Sequence, residues 1–269
     1  MTPQIHPTAV VHPGAEIHPT VQIGPHCSIG ERVKLGPGTQ VGANVVIDGW
    51  TEIGARNRIF PGAVVGLEPQ DLKYSGDETL VQIGNDNRIR ECVTINRATK
   101  GGEMTRIGNG NLLMAYVHVA HNCVLQDKIV IANAVSLAGH VEIESQAVIG
   151  GMSGFHQFVH VGKLAMVGAM SRIDRDVPPF TLVEGSPARV RTLNVLGLKR
   201  AGVQELEDGA TYRALKKAYR ILFRNNRALE EGLRELEPLL HVDLVRHLYH
   251  FAKTSSQAPG RRGMVPGKS

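Results

Sequence analysis

The chain has 269 residues, which is enough for a sizeable hydrophobic core and one or two domains. No segment approaches the roughly eighteen apolar residues of a membrane-spanning helix, and the N-terminus lacks a basic segment followed by an apolar one. We therefore expect a cytoplasmic protein without a transmembrane segment. The net charge of +5 would suit several anionic partners, but no DNA- or RNA-binding motif accompanies it, so nucleic acid is not an expected partner.

An aliphatic residue recurs every six positions through the first two-thirds of the chain. The first unbroken run is Ile5, Val11, Ile17, Ile23, Ile29, Leu35, Val41, Ile47, Ile53, Ile59 and Val65. The pattern returns from Ile83 to Ile95 and again from Ile107 to Ile173. Two residues before each aliphatic residue lies a small or slender one, and side chains two apart on a strand face the same way. Each hexad therefore offers one large and one small inward residue.

The three cysteines can be interpreted from this repeat. Cys27 and Cys123 occupy the small inward position, whereas Cys92 lies elsewhere in its hexad. Three cysteines cannot all pair with one another, so we expect reduced and mostly buried thiols. The low aromatic content of 4% agrees with a narrow core that is filled by aliphatic side chains.

A period of six is typical of a solenoid in which short strands stack into a parallel β-helix. Glycine often follows the aliphatic residue, as at Gly24 and Gly30, which fits turns at the corners. The repeat breaks at 68–80 and 98–105, so we predict a β-helix over 1–190 with loops at these two places. The periodicity alone leaves the hand open. The pattern resembles the left-handed hexapeptide-repeat family, in which three hexads form one triangular coil, and this resemblance implies the left hand.

After the repeat the period becomes helical. Apolar residues at helical spacing run from Tyr212 to Phe223 and from Leu240 to Phe251. We therefore predict a small α-helical domain over 191–253. Residues 254–269 are mostly polar, with several glycines and prolines, and are predicted to be disordered. The predicted fold class is thus mainly β, a left-handed parallel β-helix followed by a small helical domain.

Among the histidines, His121 can be placed most usefully by the repeat. With eighteen residues to a coil, stacked residues lie on strands about 4.8 Å apart, so His121 lies next to Gly139 on an outer surface. Position alone leaves His121 open to two interpretations, a catalytic base or a surface histidine. His118 and His121 could also supply two zinc ligands, although their spacing does not resemble that of the metal-binding hexapeptide carbonic anhydrases, and no metal is expected.

Several stretches go beyond a generic repeat. They are QDLKY (70–74), RIRECVTI (88–95), NLLM (111–114), HVAHNC (118–123), LAGHV (137–141), IGGMSGFHQF (149–158) and GLKR (197–200). In this order and spacing, over roughly residues 1 to 250, the chain resembles the UDP-N-acetylglucosamine O-acyltransferase family of lipid A biosynthesis. The pairing of QDLKY with HVAHNC and GGMSGFHQF makes the resemblance specific.

The resemblance implies transfer of a 3-hydroxyacyl chain from acyl carrier protein to the 3-hydroxyl of UDP-N-acetylglucosamine by direct attack. The phosphopantetheine of the carrier protein holds the chain, so no cofactor of the enzyme itself is expected. A homotrimer with active sites at its subunit interfaces is implied as well. The general base of the family falls on His121, and its oxyanion donor, a backbone N–H, falls on Gly139.

Other residues match the family's substrate contacts. In the first loop these are Gln70, Asp71 and Lys73, and the family's counterparts of Asp71 and Lys73 reach a neighbouring subunit. Those lining the cleft are His118, His140, His156 and Gln157. Asn194 and Arg200 match contacts to the nucleotide end. Ala169 matches the residue that ends the acyl groove, where glycine admits longer chains and methionine shorter ones.

The chain departs from the family's pattern at four positions. Asn122 stands where many members have aspartate, and an amide can orient an imidazole but cannot offset its charge. Pro187 replaces a histidine near the nucleotide, and Leu196 and Ala201 replace polar residues around GLKR. These changes affect the expected nucleotide contacts more than the catalytic ones.

Three alternatives stay open at this point. One is the UDP-glucosamine N-acyltransferase of the same pathway, which usually has an additional N-terminal domain, whereas the repeat here begins at Ile5. Another is an acetyl-CoA-dependent acetyltransferase. The third is a structural solenoid without catalytic activity, which has little reason to set His121 beside Gly139 or to retain QDLKY.

Overall fold

The computed structural model describes residues 2–225, 227–258 and 260–267, and its β-part is built from very short strands. In chain order they are β1 (Gln4–Ile5), β2 (Val10–Val11), β3 (Glu16–Ile17), β4 (Gln22–Ile23), β5 (Ser28–Ile29), β6 (Val33–Leu35), β7 (Gln40–Val41), β8 (Val46–Ile47), β9 (Trp50–Ile53), β10 (Arg58–Ile59), β11 (Val64–Leu67), β12 (Leu80–Ile83), β13 (Arg88–Ile89), β14 (Thr94–Asn96), β15 (Met104–Ile107), β16 (Leu112–Leu113), β17 (His118–Val119), β18 (Val124–Leu125), β19 (Val130–Ile131), β20 (Ser136–Leu137), β21 (Glu142–Ile143), β22 (Val148–Ile149), β23 (Gly154–Phe155), β24 (His160–Val161), β25 (Met166–Val167), β26 (Arg172–Ile173), β27 (Thr181–Gly185) and β28 (Ala188–Leu193).

Successive strands go to three different sheets, so the chain winds around a triangular prism. The first sheet contains β1, β4, β7, β10, β13, β16, β19, β22, β25, β27 and β28; the second contains β2, β5, β8, β11, β14, β17, β20, β23 and β26; the third contains β3, β6, β9, β12, β15, β18, β21 and β24. Apart from the antiparallel β27–β28 hairpin, the paired strands run parallel, with residues one coil apart in register. The predicted fold class, a left-handed parallel β-helix followed by helices, is confirmed.

The core follows the repeat. Ile23 and Ile29 are 3% and 2% exposed, and Cys27, at the small inward position between them, is 2% exposed. Each fully buried Ile or Val contributes about 1.5–3 kcal/mol from transfer out of water. The cysteines are free thiols, and Cys123 is buried like Cys27, but Cys92 is exposed at a corner.

The glycines that follow the aliphatic residues have a different role from the one expected. A Cβ added at Gly24 would lie 2.9 Å from the backbone of Gly42 in the next coil, so close backbone stacking excludes a side chain there. The positive φ angles of the corners fall two residues later, at non-glycine residues such as His26 and Asn44, both at 56°. These glycines therefore permit close stacking rather than an unusual backbone conformation.

The two interruptions of the repeat are loops that leave the prism. The first connects β11 to β12 and the second connects β14 to β15. The strands on either side still pair in register, as Arg58 does with Arg88 and Arg88 with Leu112. The coils on either side of the loops thus keep their register, apart from a shift between Val65 and Leu67 where β11 leads into the first loop.

The C-terminal helices begin after the β27–β28 hairpin. They are α1 (Val195–Arg200), α2 (Ala210–Phe223), α3 (Leu229–Leu236) and α4 (Asp243–Gln257), with short 3₁₀ helices at Leu206–Gly209 and Glu237–Leu239. The two predicted apolar stripes lie in α2 and α4, except for Leu240, which precedes α4. None of the described helices is long and apolar enough to cross a membrane.

The prediction of a disordered tail over 254–269 is wrong for the described residues. Residues 254–257 complete α4, and 260–267 pack along the end of the β-helix. Val265 is 1% exposed, and its N–H donates to the Asp176 carbonyl at 2.8 Å. Arg261 forms an ion pair with the Asp176 carboxylate at 3.2 Å. One buried valine and one paired arginine thus anchor a segment whose composition suggested disorder.

Candidate active site

A cleft of about 660 Å³ on the second sheet gathers half of the predicted site residues. His121 lies in the corner turn after β17, and Gly139 lies in the corresponding turn after β20, one coil further. The predicted residues that line this cleft are Gln70, His118, His121, Gly139, His156 and Gln157. His121 therefore lies beside Gly139, as the eighteen-residue spacing predicts.

His121 packs directly against Gly139. A Cβ built at Gly139 would lie 2.4 Å from both Cε1 and Nε2 of the His121 ring, so only glycine leaves room for the imidazole. The Gly139 carbonyl accepts a hydrogen bond from the Phe158 N–H. Its own N–H donates to no acceptor in the described part of the chain and lies in the wall of the cleft.

The tautomer of His121 follows from its neighbour Asn122. The Asn122 side-chain oxygen lies 3.0 Å from His121 Nδ1 and accepts the Thr99 N–H at 3.2 Å. Because that oxygen can only accept, Nδ1 carries the imidazole proton. Nε2 of this 95%-buried histidine is then left with its lone pair. The ring is oriented as a general base requires.

Asp71 approaches the same nitrogen from the first loop. Its Oδ2 lies 3.8 Å from His121 Nε2 of the same chain. The first loop thus folds over its own β-helix and brings Asp71 towards the His121 ring of the same chain. The Lys73 N–H donates to Asp71 Oδ1 at 3.0 Å, and this hydrogen bond is the main reason why the pKa of Asp71 is lowered. The Lys73 side chain is exposed.

His118 and His140 flank His121. The His118 ring is held by Thr94, whose hydroxyl lies 2.7 Å from Nδ1. His140 meets the His121 ring edge-on at 5.2 Å and stacks on Phe158 at 4.6 Å. Burial, and next the charge of His121, lower the pKa of both flanking histidines. They therefore stay neutral to lower pH and add little repulsion to a proton taken up by His121.

His156 is shared between the cleft and the C-terminal tail. Arg262 Nη2 lies 3.1 Å from His156 Nε2, and His156 Nδ1 lies 3.1 Å from the Gln157 carbonyl oxygen. An arginine can only donate, so His156 is neutral with its proton on Nδ1. Arg262 was missed from the sequence because it belongs to the segment predicted to be disordered.

The two predicted nucleotide contacts do not join the cleft. Asn194 is 8% exposed; its side-chain oxygen caps α1 by accepting the Gly197 N–H at 3.0 Å, and its amide donates to the Leu164 carbonyl. Arg200 is exposed in the last turn of α1. Ser186, next to the departure at Pro187, does line the cleft.

An apolar ridge follows the prism edge beside the cleft. It consists of Tyr116, Ala134, Met152 and Met170, one from each of four successive coils, and Met152 and Met170 are 67% and 71% exposed. Ala169 is exposed immediately before Met170. The eighteen-residue spacing would have revealed this ridge in the sequence. Large exposed apolar side chains in a row are typical of a binding surface.

Size alone does not identify the site. A larger depression, of about 910 Å³, lies on the third sheet near the N-terminal end. Its central Lys34 is already paired with Glu16 and Glu52, at 3.5 and 3.4 Å. In the described ranges no group of three or more His, Cys, Asp or Glu side chains is arranged to hold a metal ion.

Comparisons with known proteins match this architecture over its full length. A family model described as Udp N-acetylglucosamine O-acyltransferase, domain 2, matches residues 176–265. The chain is 62% identical, over 268 residues, to an acyl-[acyl-carrier-protein]--UDP-N-acetylglucosamine O-acyltransferase of Synechocystis sp., covering 100% of this chain and 96% of that one.

Two solved structures are also similar. The UDP-N-acetylglucosamine O-acyltransferase of Moraxella catarrhalis superposes with a TM-score of 0.90 at 41% identity, covering 97% of this chain and 99% of that one. The UDP-N-acetylglucosamine acyltransferase of Francisella novicida gives 0.92 at 34% identity, covering 99% and 95%.

Proposed function

The chain belongs to the UDP-N-acetylglucosamine O-acyltransferase family, and on that premise we propose that His121 is the general base of its reaction. The protein is an acyltransferase that moves an acyl chain from acyl carrier protein to UDP-N-acetylglucosamine, the first step of lipid A biosynthesis. The observation that supports the base most directly is the tautomer of His121, which leaves Nε2 unprotonated in the cleft beside Gly139.

The proposed chemistry is direct transfer of a 3-hydroxyacyl chain to the 3-hydroxyl of the sugar. Nε2 of His121 takes the proton of this hydroxyl as its oxygen attacks the thioester carbonyl carbon. The carbonyl oxygen becomes an oxyanion that the free Gly139 N–H stabilises, an interaction of about 3–4 kcal/mol. Collapse of the tetrahedral intermediate breaks the carbon–sulfur bond. The departing phosphopantetheine thiolate then takes the proton from the imidazolium.

Asp71 supports the charged state of His121 in this scheme. Its carboxylate lies 3.8 Å from Nε2, too long for a direct hydrogen bond but close enough to favour an imidazolium. A sugar hydroxyl between the two groups would contact both. Asp71 therefore holds the acceptor and balances the charge that develops on His121.

The acyl chain is proposed to lie along the apolar ridge of Tyr116, Ala134, Met152 and Met170. The adjacent Ala169 would end its groove. The homotrimer, the cytoplasmic location, the absence of a cofactor and the nucleotide contacts through Asn194 and Arg200 remain proposals that rest on the family resemblance. The exposure of the ridge supports a second copy of the chain closing the groove.

The decisive experiment replaces the base. His121→Ala should reduce kcat at least about a hundredfold, the scale of lost acid–base catalysis, with unchanged thermal unfolding. The assay combines UDP-N-acetylglucosamine with 3-hydroxyacyl carrier protein and detects the product by mass. The matched control is His250→Ala on the exposed side of α4, which should turn over normally. Near-normal turnover of His121→Ala would exclude His121 as the base.

A further inference from the structure

The second loop ends at Glu103, whose carboxylate points to the catalytic corner. Glu103 Oε2 accepts a hydrogen bond from the Asn122 side-chain amide at 2.7 Å. It also accepts the Lys100 N–H at 3.3 Å, within the loop. Glu103 itself is partly buried immediately before β15. Nothing in the hexad repeat brings Glu103 to this place, because it lies in the segment that leaves the repeat.

The hydrogen bonds of the Asn122 side chain all agree on one orientation of its amide. The Glu103 carboxylate only accepts, so the NH₂ of Asn122 faces it, and the Thr99 N–H only donates, so the oxygen of Asn122 faces that. The same oxygen is then the partner of His121 Nδ1. A continuous chain of hydrogen bonds runs from Glu103 through Asn122 to His121.

We propose that Glu103 is a positioning residue that acts on His121 through Asn122 and supplies the negative charge which an aspartate at position 122 would carry. This inference rests on the proposed role of His121 as base. Glu103 polarises the Asn122 amide, holds the proton of His121 on Nδ1 and stabilises the imidazolium that forms during transfer. The chain thus keeps a carboxylate behind its base, but the Asn122 side chain lies between the two groups.

Other charged and titratable groups also face His121 and would act in parallel. Asp71 lies on the Nε2 side. His118 and His140 flank the ring, and the charge of Lys100 is felt at His140 together with that of Glu103. The test must therefore move the charge of Glu103 without altering these groups.

Removing the charge of Glu103, or moving it to position 122, distinguishes a positioning role from a merely structural one. Glu103→Gln keeps an acceptor for the Asn122 amide but removes the charge, and should lower kcat about tenfold, a loss of about 1.4 kcal/mol. KM for the sugar nucleotide should stay within about twofold. Adding Asn122→Asp to Glu103→Gln should restore kcat to within about threefold of wild type, since the new carboxylate can accept from both His121 and the amide of the introduced glutamine.

Two further comparisons sharpen the test. Asn122→Asp alone sets two carboxylates against each other and should be less active than the double variant. Glu78→Gln, which removes an exposed loop carboxylate 3.9 Å from Arg32, is the matched control and should turn over normally. With the stabilising anion gone, the acidic limb of the kcat–pH profile of Glu103→Gln should move to lower pH, because the imidazolium forms less readily.

A spectroscopic measurement reports on the tautomer directly. In protein labelled with ¹⁵N-histidine, the His121 resonances of the wild type should show a single Nδ1–H tautomer at high pH, and Glu103→Ala should show a mixture. Full kcat in Glu103→Gln with an unchanged tautomer in Glu103→Ala would overturn the proposal. If His121→Ala is inactive in that case, His121 is still supported as the base and only the role of Glu103 is refuted. If His121→Ala is active, both roles are refuted.

Discussion

The contact between Gly139 and His121 gives the sharpest prediction. Gly139→Ala places a Cβ 2.4 Å from Cε1 and Nε2 of the ring, whereas ordinary contacts begin near 3.4 Å. The ring must therefore retreat by about 1 Å, and a displacement of this size can cost about a hundredfold in rate. On its other side the ring is held by Asn122, so it cannot retreat without weakening that hydrogen bond.

We expect kcat of Gly139→Ala to fall by about a hundredfold and the free energy of unfolding to fall by about 1–3 kcal/mol from overpacking. The backbone N–H at 139 survives the substitution, so the lost rate reports the position of the His121 ring. Product formation with acyl carrier protein as donor measures the first quantity and urea unfolding the second. Gly101→Ala is the matched control, since its added Cβ would come no closer than 3.7 Å to Asp77. Turnover of Gly139→Ala within about threefold of wild type would refute the steric reasoning.

Three further predictions concern the acyl groove, the chain that supplies Asp71 to each site, and the stability of the fold in acid. Ala169→Gly should shift donor preference to longer acyl chains and Ala169→Met to shorter ones, because the close-packed side chains around the groove move little. Co-assembled Asp71→Ala and His121→Ala chains should stay as inactive as either alone, because Asp71 lies 3.8 Å from His121 of its own chain. Burial opposes ionisation of Glu144, but its hydrogen bonds to His160 and His247 dominate and lower its pKa to about 2. A carboxyl with a lowered folded-state pKa stabilises the fold above its unfolded pKa, so about 3 kcal/mol should be lost as pH falls from about 4.5 to 2.

Each of these has a result that would contradict it. If wild type, Ala169→Gly and Ala169→Met all prefer the same donor chain length, the groove ends elsewhere. Recovered activity in verified mixed assemblies would show that Asp71 completes a neighbouring subunit's site. For acid stability, urea unfolding across this pH range compares wild type with Glu144→Gln, which should lose the pH dependence. Glu91→Gln, at an exposed pair with Arg90, is the control and should retain it.

The contact between His121 and Gly139 could be predicted because the repeat of a β-helix sets which residues stack on one another. Once three hexads make a coil, His121 must lie one strand spacing from Gly139, and Cys27 and Cys123 must point inward. The repeat no longer predicts side-chain positions where the chain leaves the prism. The approach of Asp71 to His121 of its own chain and the contact of Glu103 with Asn122 were not predicted, because Asp71 and Glu103 lie in inserted loops.

The C-terminal region shows the same limit. Asn194 matches a nucleotide contact by motif, yet in this chain its side chain caps α1. Arg262 was placed in a disordered tail, yet it contacts His156 because Val265 is buried a few residues further on. Composition could not reveal a segment that is anchored by one valine and one ion pair.

The sequence by itself determined the β-helix, its register, its loops and the placement of His121 beside Gly139, since each coil contacts only the next and the repeat sets which residues stack. Only the tertiary structure decided which way the Asn122 amide points, that Asp71 faces His121 of its own chain, and that Glu103 accepts a hydrogen bond from Asn122. These contacts join segments far apart in the repeat. They depend on loop conformations and on hydrogen-bond polarity, which a period of six does not encode.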